Sequence, residues 1–206
     1  MNCVTKRVFF EDYVFDVFEG VYEPAEDSFL LAQSLMVEKG DSVLDMGTGC
    51  GIQAILAAQK ATRVVAVDVN PHAVRCTVHN AELNKVAHKL DVRQGRLFGP
   101  VKTDERFDLI LFNAPYLPSE TWEENDMTSR AWAGGESGRR VIDLFIDEVS
   151  EYLEGEGRVL LVQSTLSDVE KTLRRFSEKG LNAKVIVEKK VAFETIVIIE
   201  ARFGVL

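Results

Sequence analysis

From residue 42 onward, short runs of consecutive apolar residues alternate with stretches whose apolar positions recur every three or four residues. The continuous runs predict buried strands at Ser42–Met46, Arg63–Val67, Lys89–Val92, Phe107–Phe112 and Arg158–Gln163. The periodic stretches predict helices at Ile52–Gln59, from Pro71 to about Lys85, at Arg140–Leu153 and at Ser167–Lys179. Two further strands, Ala183–Glu188 and Phe193–Glu200, flank the short link KKVAF and predict an antiparallel hairpin. Ahead of this series, β-prone residues on either side of Glu11-Asp12 predict a hairpin over residues 7–18. A helix should then start near Pro24 and Glu26-Asp27, place Phe29, Leu30, Leu35 and Met36 on one face, and stop at Gly40. Strands that alternate with helices indicate a mainly parallel, doubly wound α/β sheet. The longest irregular stretch is 114–138, and a loop of that length inside a compact domain usually serves function.

The chain has 206 residues, enough for one self-sufficient core: a hairpin-and-helix segment at 1–40 leading into a main domain at 41–206. Apolar residues make up 46% and charged residues 28%, which is the balance of an ordinary soluble globular protein. A net charge of −9 argues against a nucleic acid held through its phosphates, and suits a cationic ligand or a basic protein partner. Cys3, Cys50 and Cys76 show no metal-ligand spacing, so neither an intrinsic metal site nor a disulfide framework is expected. No 18-residue apolar run and no signal-peptide pattern occur, which makes the cytoplasm the expected compartment, with no membrane partner. His72, His79 and His88 fall in helical or linking segments and read as ordinary, partly exposed residues.

Two stretches carry candidate chemistry. The first, Asp45-Met46-Gly47-Thr48-Gly49-Cys50-Gly51, follows a strand and opens a helix. Glycines there permit a tight turn and let a ligand approach the backbone. Asp68 ends the next strand, where a carboxylate can accept hydrogen bonds from ribose hydroxyls. A dinucleotide site would need G-x-G-x-x-G, but here the third glycine comes one residue early and Ile52 takes its place. The pattern is instead D-x-G-x-G-x-G, which resembles motif I of the S-adenosylmethionine (AdoMet) methyltransferases. AdoMet has no phosphate and carries a sulfonium and an ammonium, so Asp45 and acidic surroundings suit it.

The second stretch is Asn113-Ala114-Pro115-Tyr116, directly after a buried strand. Ligands of open α/β sheets bind beyond the carboxyl ends of the strands. The Asn113 side-chain oxygen and the Ala114 carbonyl can each accept one N–H of a planar NH2 group. Pro115 fixes the turn and Tyr116 offers a stacking face. Such acceptors strengthen as positive charge develops on a nitrogen gaining a methyl group. The stretch resembles the (N/D)-P-P-(Y/F) motif of methyltransferases that act on amide or exocyclic amine nitrogen, with Ala114 in place of the first proline.

Four segments in order, 21–35, 44–58, 107–118 and 131–149, together resemble the HemK/PrmC family, most of all its short archaeal and eukaryotic branch. The resemblance implies a Rossmann-like, seven-stranded, mainly parallel sheet with a C-terminal antiparallel hairpin, preceded by a short N-terminal hairpin and helix. It implies methyl transfer from AdoMet to the side-chain amide of the glutamine in the GGQ motif of a class I translation release factor. It also implies a small zinc-binding activator protein that pairs along an edge of the sheet, the edge expected at Lys89–Val92. By position, Tyr22, Pro24, Glu26 and Asp27 would fold over the cofactor. Gly47 and Gly49 would line its methionine portion and Asp68 would hold the ribose; Asp45, Val69, Arg96, Leu97 and Asn113 would also border the cofactor, with adenine met by backbone groups and Leu97. Arg96 stands where the family usually has an acidic residue. Asn113, Ala114, Pro115 and Tyr116 would hold glutamine, and the loop with Gly134, Gly135 and Gly138 would flank it. Two other readings share these motifs: methylation of an exocyclic amine of DNA or RNA, and a non-catalytic AdoMet-binding scaffold.

Overall fold

A computed structural model describes residues 3–117 and 135–204. The main sheet has seven strands, mostly parallel with an antiparallel hairpin at the end of the chain, and a separate two-stranded sheet precedes it. The chain divides into two compact units, Met1–Lys102 and Thr103–Leu206.

In the first unit, β1 (Val4–Phe10) and β2 (Tyr13–Phe18) form the antiparallel N-terminal hairpin. Helix α1 (Glu26–Gln33) follows, then β3 (Ser42–Met46), α2 (Ile52–Ala57), β4 (Arg63–Asp68), α3 (Pro71–Leu83) and β5 (Leu90–Gln94). The strands β3, β4 and β5 are parallel neighbours. Val43, Leu44 and Val64–Val67 are at most 1% exposed, which is why this part of the chain reads as unbroken apolar runs. β5 is the end strand in the order β5-β4-β3, so the edge expected at residues 89–92 is an edge, displaced slightly to Leu90–Gln94.

Helix α1 ends at Gln33, not at Gly40 as the pattern suggested. Ser34 turns its hydroxyl back onto the Leu30 carbonyl at 2.8 Å, while its N–H bonds Leu31, so the helix closes on itself one turn after the apolar cluster. Met36 is consequently left 64% exposed.

The N-terminal hairpin is fastened to α3 by amide side chains. Asn80 accepts from the Asp16 N–H at 2.9 Å and donates to the Asp16 carbonyl at 2.8 Å, which mimics a neighbouring strand. Asn84 repeats the arrangement at Val14, with bonds of 3.2 and 2.7 Å. The buried Asp16 carboxylate is flanked by Arg7 at 2.7 Å and His79 at 2.9 Å. The hydrogen bond from Arg7 foremost, and that with His79, hold its pKa below the ordinary carboxylate value against the opposing effect of burial.

In the second unit, β6 (Phe107–Asn113) and β7 (Leu153–Ser164) are parallel, and β9 (Thr195–Phe203) pairs antiparallel with both β7 and β8 (Leu181–Lys190). Helices α4 (Arg140–Val149) and α5 (Val169–Glu178) complete it. Phe112 and Phe145 meet with ring centroids 4.7 Å apart, a tilted aromatic pair at the end of β6. β7 begins five residues earlier than the apolar run at 158–163, and α4 stops correspondingly short of Leu153. Leu153 pairs with Phe107, and a side chain at Gly157 would come within 2.9 Å of the Phe107 carbonyl. Glycine is what lets this polar segment enter the sheet.

Among the described residues, no helix is long and apolar enough to cross a membrane. None of their His, Cys, Asp and Glu side chains gather in threes to hold a metal ion.

Candidate functional site

In the first unit the glycine loop leaves β3 at Gly47 and reaches α2 at Ile52. Its own backbone and acids hold it. The Gly47 and Thr48 N–H groups both donate to the Val67 carbonyl, at 2.8 and 3.0 Å. The Gly49 N–H donates to Asp68 Oδ2 at 2.9 Å, and the Gly51 N–H to the Thr48 carbonyl at 2.8 Å. These four N–H groups are therefore occupied and do not form a phosphate cradle, which requires donors aimed at the ligand. This agrees with the reading of the spacing as a motif for a ligand without phosphate.

The glycines differ in purpose. Gly49 has φ of +59° and a Cβ added there would meet nothing within 4 Å, so the chain faces open space. A bare backbone beside open space is what a ligand laid along the loop needs. Gly51 has φ of +87°, and its added Cβ would lie 3.0 Å from the Thr77 methyl of α3. The third glycine thus serves close packing of the loop on the helix.

Asp45 lies beneath the loop, 1% exposed. Its Oδ2 accepts from the Thr48 hydroxyl at 2.7 Å and from the Ala54 N–H at 3.1 Å. The second bond satisfies a donor in the first turn of α2, whose own N-cap, Gly51, has no side chain to offer. Burial pushes the Asp45 carboxyl up to about 7, although the bonds from Thr48 and Ala54 pull it down.

Asp68 joins three chain segments. Its carboxylate accepts from Gly49 at 2.9 Å and from the Asn70 N–H at 2.8 Å, and its carbonyl accepts from the Gly95 N–H at 2.9 Å. Burial raises its pKa as well, opposed by the Asn70 and Gly49 bonds. Burial is what raises the Asp68 pKa, so a cation laid beside this carboxylate would offset that cost and be held there. A carboxylate oxygen holding one N–H still has a lone pair for a ribose hydroxyl. These residues fit AdoMet.

The remaining predicted cofactor residues of this unit lie in three further segments. Tyr22 bonds Asp27 through its hydroxyl at 3.2 Å, and Asp27 also takes the Ser28 N–H at 2.6 Å. The Ser28 carbonyl accepts from Gln53 of α2 at 2.7 Å, tying the Tyr22–Asp27 segment to the helix that follows the glycine loop. Pro24 is buried and Glu26 exposed. Val69 is 49% exposed beside Asp68. Arg96 is exposed, and Leu97 takes a positive φ of 46° in the turn after β5.

In the second unit, Asn113 is the last residue of β6, half-buried and in register with Val162 of β7. Ala114 and Tyr116 are buried, 3% and 8% exposed, with Pro115 half-buried between them. Gly135 and Gly138 adopt positive φ and are bridged by a 2.9 Å backbone bond. Gly134 and the rest of 118–134 lie outside the described residues.

Sequence reasoning missed several supports. Arg139, 4% exposed, follows the glycine pair and donates to the Asp168 carbonyl at 2.7 Å, Thr172 at 2.9 Å and Asp143 at 2.7 Å, and also to the Ser167 carbonyl. It anchors the start of α4 to that of α5. Asn70 caps α3 at 2.9 Å and reaches the Gly20 carbonyl at 2.7 Å. His79, read as ordinary, bonds Asp16. Arg139 and His79 carry no local sign of such roles, whereas Asn70 before Pro71 is a readable helix start.

The raised Asp45 pKa has a measurable consequence. Between about pH 4 and pH 7 the unfolded chain has released this proton and the folded protein retains it. Folding therefore takes up a proton, and the stability due to this group falls as pH rises through that window, on the order of 1 kcal/mol per pH unit. Asp45→Asn should flatten this slope. Urea midpoints measured from pH 4.5 to 8 test it, and parallel slopes for variant and wild type would contradict it.

The comparisons with known proteins come to the same place. Residues 28–114 match the family model for ribosomal protein L11 methyltransferase (PrmA). A Methanocaldococcus jannaschii protein named as a protein N5-glutamine methyltransferase is 39% identical over 183 residues, covering 88% of this chain and 91% of that one. The human methyltransferase HEMK2 is 32% identical, with 89% and 90% covered. The release factor glutamine methyltransferase of Aquifex aeolicus is 31% identical, with 90% and 69% covered. Among solved structures, the E. cuniculi Mtq2-Trm112 complex, described as methylating the eRF1 termination factor, aligns with a TM-score of 0.70. That alignment has 24% identity and covers 90% of this chain and 99% of the other, a likeness of fold.

Proposed function

The chain belongs to the protein N5-glutamine methyltransferase family that includes HEMK2 and the release factor glutamine methyltransferases, and on that premise we propose that it methylates the GGQ glutamine of a class I release factor. It is an enzyme, and its methyl donor is AdoMet. The observation that carries the site assignment is the glycine loop, four of whose N–H groups are spent internally, with the buried Asp45 carboxyl beneath it and the half-buried Asp68 carboxylate bonded to Gly49.

When bound, AdoMet supplies a methyl group on a sulfonium, which departs as a neutral thioether. The chain's own residues do the remainder. Asp68 takes the ribose hydroxyls, with Val69 alongside. Gly47 and Gly49 let the methionine portion lie against bare backbone, and Asp45 holds the loop in shape from below. Arg96 and Leu97 receive the adenine through backbone groups and the Leu97 side chain. Tyr22, Pro24, Glu26 and Asp27 close residues 1–40 over the cofactor. Asn113 and the Ala114 carbonyl accept the two N–H bonds of the glutamine amide, Pro115 sets the turn, and Tyr116 stacks on the amide plane. The amide nitrogen becomes acidic as it gains the methyl group, so hydrogen-bond acceptors suffice, no strong base is needed, and the proton it loses passes to water.

The partner along β5 is proposed as a small zinc-binding activator in the cytoplasm. Its support is the end position of β5, whose Leu90 and Val92 are half-exposed, because an open strand edge is a pairing surface. Nucleic acid is not favoured as acceptor: the chain carries a net charge of −9 and its relatives are named for glutamine.

Peptide mass spectrometry of a release factor incubated with AdoMet and this protein, with and without activator, tests the reading. One methyl on the GGQ glutamine, absent when that glutamine is changed to alanine, is the expected result. An unmodified release factor in every arm, with AdoMet binding demonstrated, would refute the assigned acceptor.

A further inference from the structure

We propose that Leu166 and Phe193 form a second contact for the acceptor protein, gripping surface beside its methylated glutamine. The inference rests on the acceptor assignment just made.

Phe193 is 95% exposed and Leu166 is 53% exposed. They are far apart in sequence, but one hydrogen bond joins their segments: the Thr195 N–H donates to Thr165 Oγ1 at 3.3 Å. Leu166 sits in a single 3-10 turn, Thr165–Ser167, directly after β7. Phe193 lies at the tip of the β8–β9 hairpin, which is closed by a 2.9 Å bond from the Val191 N–H to the Glu194 carbonyl.

The strand register puts both beside the acceptor turn, within the second unit. Asn113 of β6 is opposite Val162 of β7, and Ser164 of β7 is opposite Ile196 of β9. The chain after Asn113, the turn after Ser164 and the link before Thr195 therefore emerge at the same end of these three strands. β9 is two strands from β6, a separation of about 10 Å at ordinary strand spacing. That is beyond the reach of the glutamine itself and within reach of the surface that presents it.

Hairpin tips usually carry Gly, Asn, Asp or Pro. A fully exposed phenylalanine there gains nothing for the fold, whereas aromatic anchors dominate the energetics of protein interfaces. The occupant is the acceptor protein because the patch emerges at the same end of the sheet as the turn assigned to hold its glutamine, two strands away. A glutamine side chain alone also offers too little surface to select one protein among many.

The test uses the full chain with its activator and a release factor as substrate. Phe193→Ser and Leu166→Ser should each raise KM for the release factor about tenfold. The kcat and the AdoMet affinity should stay within about twofold, since neither residue is placed in the cofactor or acceptor machinery. Phe193→Leu should recover most of the loss, which a purely structural role for the hairpin would not predict. An unchanged KM in both serine variants, or a fall in kcat alone, overturns the proposal. Concentration-dependent self-association that Phe193→Ser abolishes, with KM unmoved, would assign the patch to a second copy and overturn it equally. A wild-type enzyme that leaves the release factor unmethylated refutes the underlying acceptor reading instead, and this proposal with it.

Discussion

Replacing Asn113 with alanine is expected to lower the rate of methyl transfer about 100- to 1,000-fold while AdoMet still binds. The magnitude is that of removing one preorganised polar partner from a developing charge. An amide nitrogen is a poor nucleophile, because its lone pair is delocalised into the carbonyl. The enzyme must hold it about 3–3.5 Å from the methyl carbon with the correct alignment. Asn113 is suited to this by its place as the terminal residue of β6. The strand behind it is rigid: Leu109, Ile110 and Leu111 are 0% exposed, and Phe112 packs on Phe145. The backbone is thus fixed up to the residue proposed to hold the substrate amide. Asn113→Asp keeps an oxygen acceptor but loses the amide donor, and should retain more activity than alanine. Single-turnover rates with a release factor, alongside calorimetric titration of AdoMet, separate the possibilities. Full activity in the alanine variant would remove Asn113 from the mechanism. Loss of AdoMet binding would move it to the cofactor side.

The strands were legible because burial on both faces writes itself as continuous apolar sequence. Ser42–Met46 agrees at both ends, and Arg63–Val67 and Phe107–Phe112 each fall one residue short. The glycine loop was legible because positive φ demands glycine, and Gly47, Gly49 and Gly51 all adopt it. The errors arose where a tertiary contact or a single side-chain bond decides the outcome. The stretch 153–157 reads as a helix end and a loop, yet β7 begins there because Leu153 pairs with Phe107 of β6, after which the register shifts to Leu109 opposite Arg158. Helix α1 was overextended because Ser34 is compatible with a helix by propensity and ends it only through its own hydroxyl bond. The side-chain anchors were the least visible. Asn80 bonds a strand 64 positions away, and Arg139 a segment 28 positions away. Nothing in their local sequence distinguishes them from surface polar residues.

Asp68 should be the residue on which AdoMet affinity depends most. Hydrogen bonds to a charged group are worth about 1.5–3 kcal/mol each, so losing two ribose contacts should raise Kd about 100-fold or more. Asp68→Ala should also destabilise the protein by roughly 2 kcal/mol, because the Gly49 and Asn70 N–H groups lose their acceptor. The two effects need separating, since a slackened loop would weaken binding even if Asp68 never touched the ribose. An AdoMet analogue lacking a ribose hydroxyl does this. It should bind the wild type more weakly than AdoMet does, yet lose much less on Asp68→Ala, because the contact is already gone. Asp68→Asn retains one oxygen acceptor and removes the charge, and its affinity for AdoMet should fall between wild type and alanine. If the deoxy analogue and AdoMet lose affinity equally in the alanine variant, Asp68 acts only by shaping the loop. The ribose would then have to be held by groups other than this carboxylate, and the feature shared with nucleotide-binding folds would here serve the backbone alone.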